Sequence, residues 1–185
     1  MSKFLKNISK DGKGGSFHSF NKDYHLVTTN TKVIIVGTIT PPKGRLFNGG
    51  FYYMSEQNRM YDILDAYYKA VNKSSSFKLN KKAGNIKALI EELKDKGIAF
   101  IDVIDSCNNP KESYKDDDLE DIKLDYEAFK DIDENIVLIA NSKNAYEALL
   151  KIMEHNHLKN KMLHIHGFMF YKQEEWNKAF IDINL

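Results

Sequence analysis

The stretch GFYYMSEQNR, residues 50–59, sets three consecutive aromatics beside a polar run that ends in an asparagine and an arginine. A flat aromatic wall suits a planar heterocycle, and the Asn58 amide can hydrogen-bond a base edge or orient a water. Both have ordinary structural uses too: Phe51, Tyr52 and Tyr53 as core, Asn58 as the N-cap of a following helix. Just upstream, GTITPPKGR has the glycine and backbone amides that suit an anion, and Pro41 and Pro42 stiffen the turn around Thr38 and Thr40. Neither nucleotide fingerprint, GxxxxGK[ST] or GxGxxG, is present, and a plain structural turn fits this piece equally well. Asp102 lies inside the apolar run IAFIDVI, where a carboxylate must be paired with loop amides or put to use. His164 and His166 stand two residues apart in LHIHG. With His155 and His157 they make two HxH pairs, but no cysteine or carboxylate completes a metal spacing.

These residues need a scaffold, and the hydrophobic pattern supplies one. KVIIVGT (32–38) is a β-branched run closed by glycine, the pattern of a strand buried on both faces of a parallel sheet. IAFIDVI (98–104), NIVLIAN (135–141) and KMLHIHG (161–167) read as three more strands. Between them, helical spacing predicts helices over 60–71, 82–97 (stopped by Gly97) and 143–156. Alternation of strands and helices requires crossovers and a mostly parallel sheet with helices on both faces. Ligands then bind beyond the carboxyl ends of the strands, where TITPPKGR, GFYYMSEQNR, DSCNNPKES, NSKN and HGFMFYK all fall. The acidic run KDDDLED (115–121) reads as a solvated loop or helix start rather than a metal site.

Bulk properties exclude little but frame the rest. With 185 residues, 42% hydrophobic, the chain reads as one domain with a sizeable core, residues 25–185. Residues 1–24 carry five lysines around GKGG and read as a mobile basic arm. The 27 basic and 26 acidic side chains nearly cancel, so any nucleic-acid surface must be local. Cys107 is the only cysteine and the N-terminal residues lack an apolar signal core, the pattern expected of a cytoplasmic protein. No apolar run approaches the roughly 20 residues that a membrane span needs.

Taken together, VIIVGTITPP, GFYYMSEQNRMYDIL, GIAFIDVIDSCNNPKESYKDDDLEDIKLDYEAF and IVLIANSKNAYEALL resemble the uracil-DNA glycosylase superfamily. The resemblance is closest to the branch of hypoxanthine and mismatch-type DNA glycosylases, with its GTFPP-like turn, GFYYGHPRNRFW-like segment and GIALWDVI-like strand, and covers roughly residues 30 to 180. It implies a three-layer α/β/α sandwich on a four-stranded, mainly parallel sheet. It also implies a monomer that hydrolyses an N-glycosidic bond in DNA without a cofactor, leaving an abasic site. The excised base would be uracil, hypoxanthine, a mismatched base or an enlarged base of phage DNA, the last implying antiviral defence. A catalytically silent DNA- or modified-nucleotide-binding module of the same fold is the alternative.

By family position, Asn58 places the water or steadies the extruded nucleotide, and His164 or His166 stabilises the departing base. Thr38 and Thr40 stand where other branches carry a carboxylate or amide. Thr38 and Asp102 complete the expected catalytic group, and Phe51, Tyr52, Thr40 and Asn141 the base-binding group. Phe168, Met169 or Phe170 would wedge into the base stack, and Lys43, Arg45, Arg59, Lys111, Lys143 and Lys172 would line a basic strip for phosphates. The chain departs from the branch at MSEQN, in place of a GHPRN-like text, and at LHIHGFMFYK, where many members carry a PSPS-like motif.

Overall fold

The computed structural model describes residues 3–39, 50–111, 115–167 and 172–185. In chain order the elements are α1 (Lys3–Lys6), β1 (Phe17–His18), β2 (Val33–Gly37), α2 (Met60–Ala70), α3 (Phe77–Lys82), α4 (Ile86–Asp95), β3 (Ile98–Asp102), β4 (Ile104–Asn108), β5 (Glu120–Leu124), β6 (Val137–Ala140), α5 (Lys143–Asn156), β7 (Met162–His164) and α6 (Gln173–Asp182).

The main sheet has the order β3-β2-β6-β7, with every pairing parallel. VIIVG of β2 is buried at all five positions because helices cover both faces, which is why its sequence is a run rather than an alternation. The chain passes from β2 to its neighbour β3 on one side, and from β6 to β7 on the other. Right-handed crossovers running in opposite directions put their helices on opposite faces. Accordingly, α2 contacts α3 and α6, and α3 contacts α4, in one layer; α5 packs on β6 and β2 in the other. The result is the expected α/β/α sandwich.

Local chemistry sets the helix limits. Asn85 caps α4, its side-chain oxygen accepting from Ala88 N, so the helix expected from residue 82 begins only at Ile86, and Lys82 instead ends α3 before the turn at Gly84. Gly97 ends α4 at φ 72°, and a Cβ there would lie 2.7 Å from the Asn30 carbonyl. Ser142 caps α5 through Ala145 N. Helix α6, which sequence periodicity left unassigned, buries Trp176, Ala179 and Phe180, with Trp176 Nε1 donating to the Gly167 carbonyl.

Two expectations are corrected. The strand expected over 98–104 breaks at Val103, and β4 leaves the main sheet for a three-stranded antiparallel sheet, β1-β4-β5. The expected basic arm is built into the body: Phe4 is fully buried, Ile8 bridges Ile122, and Phe17 pairs with Cys107. Its glycines serve close approach, since a Cβ on Gly15 would lie 2.0 Å from the Cys107 carbonyl carbon. The anchors come as two isolated pairs (Phe4 and Ile8, Phe17 and Phe20) among lysines and sustain no helical or strand period, which is why the segment read as unstructured.

The small sheet carries a buried acid. Asp105 is 5% exposed, and Lys22 and Lys123 place Nζ atoms 2.6 and 3.3 Å from its two oxygens. Burial pushes its pKa up, but the two lysines win and hold it below the ordinary carboxylate value. A depressed folded pKa contributes stability above the unfolded value, about 4, that is lost as pH falls through the folded one. Asp105→Asn should therefore cost about 1–2 kcal/mol at pH 7. In urea titrations the gap from wild type should shrink progressively below about pH 4; a gap independent of pH would refute the role of the charge.

Candidate functional site

The opposite crossovers from β2 and β6 create a topological switch point between these adjacent strands, the place where open α/β sheets bind ligands beyond the carboxyl ends. Thr38 follows β2 and Asn141 follows β6. Two polar clusters converge on this point.

The first surrounds Gly37. An added Cβ on this glycine would lie 2.6 Å from Asp102 Oδ1, 2.9 Å from the Tyr53 hydroxyl and 3.7 Å from Asn141 Nδ2. Three polar side chains from the ends of β3 and β6 and from the 50–59 stretch thus meet over one glycine. Asn141 Nδ2 donates to the Tyr53 hydroxyl at 3.0 Å, and the Tyr53 ring stands edge-on to Phe100 at 4.9 Å. Tyr53 has φ 55°, a conformation unusual for an aromatic residue. Burial, reinforced by the Asp102 charge, keeps its hydroxyl protonated far above the ordinary tyrosine range.

Asp102 is 2% exposed, and Asn21 clamps its backbone: Asp102 N donates to Asn21 Oδ1 at 2.9 Å, and Asn21 Nδ2 donates to the Asp102 carbonyl at 2.7 Å. The same Asn21 accepts from the Tyr52 hydroxyl and donates to Asp125, which satisfies its amide completely. Asn21 lies in the segment expected to be a mobile arm, and no local signal marks it.

The second cluster surrounds Asp116. Thr38 Oγ1 donates to its Oδ1 at 3.0 Å and Asn144 Nδ2 to its Oδ2 at 3.3 Å. The acidic run expected as a solvated loop thus returns one half-buried carboxylate to the switch point. Burial, the largest influence, pushes this carboxyl above its usual value despite both donors.

At the edge of this region His164 ends β7 and stacks on Tyr146 of α5 at 5.0 Å. The strand stops at His164, and the His166 ring just beyond it lies 6.2 Å from that of His164, edge-on. Burial, then His166, lowers the His164 pKa, leaving a neutral imidazole at pH 7 that can donate one hydrogen bond.

Other expected site residues are placed differently. Phe51 and Tyr52 are 0% and 1% exposed and pack against Tyr24, Phe20 and Phe100, so neither ring offers a face for a base; Tyr53 is the aromatic that reaches the strand ends. Asn58 lies at the start of α2, its side-chain oxygen accepting from Met60 N at 2.9 Å, while its carbonyl receives Lys81 Nζ at 2.6 Å. The expected basic strip is largely compensated, with Arg59 beside Asp62, Lys111 beside Asp118, Lys143 beside Glu147 and Lys172 beside Glu175. Thr40, Lys43, Arg45, Phe168, Met169 and Phe170 lie outside the described residues.

No protein-family model and no curated protein matches the chain. A solved structure does: the solution structure of a "putative Uracil DNA glycosylase" from Methanosarcina acetivorans superposes with a TM-score of 0.57. The two chains are 16% identical, over 86% of this chain and 95% of the other. The fold is shared. At that identity it is the architecture that corresponds. Among the described residues no helix is long and apolar enough to cross a membrane.

Proposed function

We propose that this chain is a monofunctional DNA glycosylase, which takes a damaged, mismatched or modified base out of the stack and hydrolyses its N-glycosidic bond. The observation that carries the reading is the convergence of Thr38, Tyr53, Asp102, Asp116 and Asn141 on the switch point of a fold shared with a protein described as a "putative Uracil DNA glycosylase". Cleavage of this bond builds positive charge on the sugar and negative charge on the base. Preorganised dipoles and a placed water suffice for such a reaction without a strong nucleophile. Carboxylates suit the sugar, while the His164 N–H and the Asn141 amide suit the base. The role is base-excision repair, or defence against phage DNA when the base is an enlarged one.

The experiment is abasic-site formation on duplex and single-stranded DNAs carrying uracil, hypoxanthine, G:T mismatches, or hydroxymethylated or glucosylated cytosine. Release of one of these bases is expected. Asn58→Asp keeps the acceptor for Met60 N but alters the amide, and should lower excision about 100-fold, the low end for one positioned catalytic group.

One observation favours a second reading, a catalytically silent DNA-binding module: the Asn58 side-chain oxygen is already engaged by a backbone N–H. DNA binding without release of any base in the panel would establish it.

A further inference from the structure

We propose that Asp116 is the catalytic carboxylate of the site, holding the attacking water and accepting its proton; this rests on the glycosylase reading above. The turn after β2 begins with threonine, whose hydroxyl is too weak a base to take a proton from water, whereas a carboxylate from another element can. The loop between β4 and β5 delivers one. Thr38 Oγ1 and Asn144 Nδ2 each donate to a different oxygen of Asp116, tying it to the end of β2 and to the first turn of α5, which follows β6. Each carboxylate oxygen has two acceptor positions, so both retain a lone pair for water.

The other polar groups are less suited. Asp102 is closed in beneath Gly37 and Tyr53 at 2% exposure. Thr38 spends its hydroxyl proton on Asp116, and the Asn58 oxygen accepts from Met60 N. Asp117 next to Asp116 is exposed, and its charge, like burial, favours proton uptake by Asp116. In the step itself the water oxygen bonds to C1′, the C1′–N bond breaks with its electron pair going to the base, and the water proton passes to Asp116. The proton then returns to the released base or to solvent, and no other reactant is consumed. Thr38 and Asn144 are positioning residues that fix the carboxylate.

The test compares binding of two duplexes by the full chain, so that turnover is not needed. One carries a neutral tetrahydrofuran abasic analogue, the other a pyrrolidine analogue whose ring cation mimics the charged sugar. The wild type should favour the cationic duplex by at least about tenfold through the nearby carboxylate charge. Asp116→Asn should bring the ratio of cationic to neutral affinity down to about one. Thr38→Val, which keeps the shape but removes the tether, should reduce it in part and serves should Asp116→Asn not fold. On the base identified by the panel, Asp116→Asn should slow single-turnover excision on the order of 100-fold. Equal binding of both duplexes by the wild type, or a preference surviving in Asp116→Asn, overturns the role of Asp116 while leaving the glycosylase reading intact. If the wild type binds neither duplex, the glycosylase reading falls, and the Asp116 role with it.

Discussion

Gly15→Ala is expected to destabilise the protein by about 3 kcal/mol or more, the upper range for overpacking into a site that cannot yield. The new methyl would lie 2.0 Å from the Cys107 carbonyl carbon and 2.2 Å from Asn108 N, both backbone atoms of β4. A flexible side chain could swing aside; a paired strand cannot. Because β4 is held by β1 on one side and β5 on the other, relief requires the N-terminal segment to lift off. Lifting would expose Phe4 and Phe20, now 0% and 3% exposed. For a chain of this size that cost lowers the melting temperature by roughly 6–12 °C. Gly12→Ala is the control: nothing lies within 4 Å of its added Cβ, and only the φ of 71° opposes the substitution. Its cost should stay near 1 kcal/mol. Calorimetry on the two variants decides the matter, and equal, small shifts would mean that residues 3–18 do not seal the small sheet.

That contrast marks the boundary of what the sequence made legible. Strand β2 and helix α5 were readable because their signals are local: an unbroken β-branched run in one, a Ser142 cap followed by four turns of apolar spacing in the other. The small sheet was not, because IDSCN of β4 and EDIKL of β5 hold too few β-branched residues to outweigh their polar text. Their strand character comes from pairing with partners far away in sequence. The site divides in the same way. Asp102 stood out as a carboxylate in an apolar strand, and the strand ends were foreseeable as its location. Asp116, in contrast, is one of three consecutive aspartates, and only the fold distinguishes the one that meets Thr38 from neighbours that face solvent or Lys111. Among Phe51, Tyr52 and Tyr53, the residue that reaches the strand ends is set by the positive φ of Tyr53, which breaks the alternation a strand would impose.

The second large effect concerns activity rather than stability. Gly37→Ala should lower single-turnover excision on the order of 100-fold, the loss that a misplacement of about 1 Å in catalytic groups produces. The methyl would intrude on Asp102 Oδ1 at 2.6 Å and the Tyr53 hydroxyl at 2.9 Å, both ends of side chains. Such ends can yield where the Gly15 neighbours cannot, so the fold survives with its melting temperature lowered by only a few degrees. What is lost is position. Asp102 cannot retreat far, because Asn21 clamps its N–H and carbonyl; Tyr53 must therefore move, breaking its contact with Asn141. A glycine at this point does for the site what a side chain would prevent: it lets groups from three separate segments meet over the end of a central strand. Tyr53→Phe separates the two consequences: it removes the hydroxyl and its bond to Asn141 without crowding, so it should slow excision by itself, and the double variant should be little slower than Gly37→Ala. Measured rates for the two single variants and the double variant give the coupling directly. Full activity in Gly37→Ala would place the chemistry away from the Asp102–Tyr53–Asn141 cluster and leave the Thr38–Asp116 pair as the centre of the site.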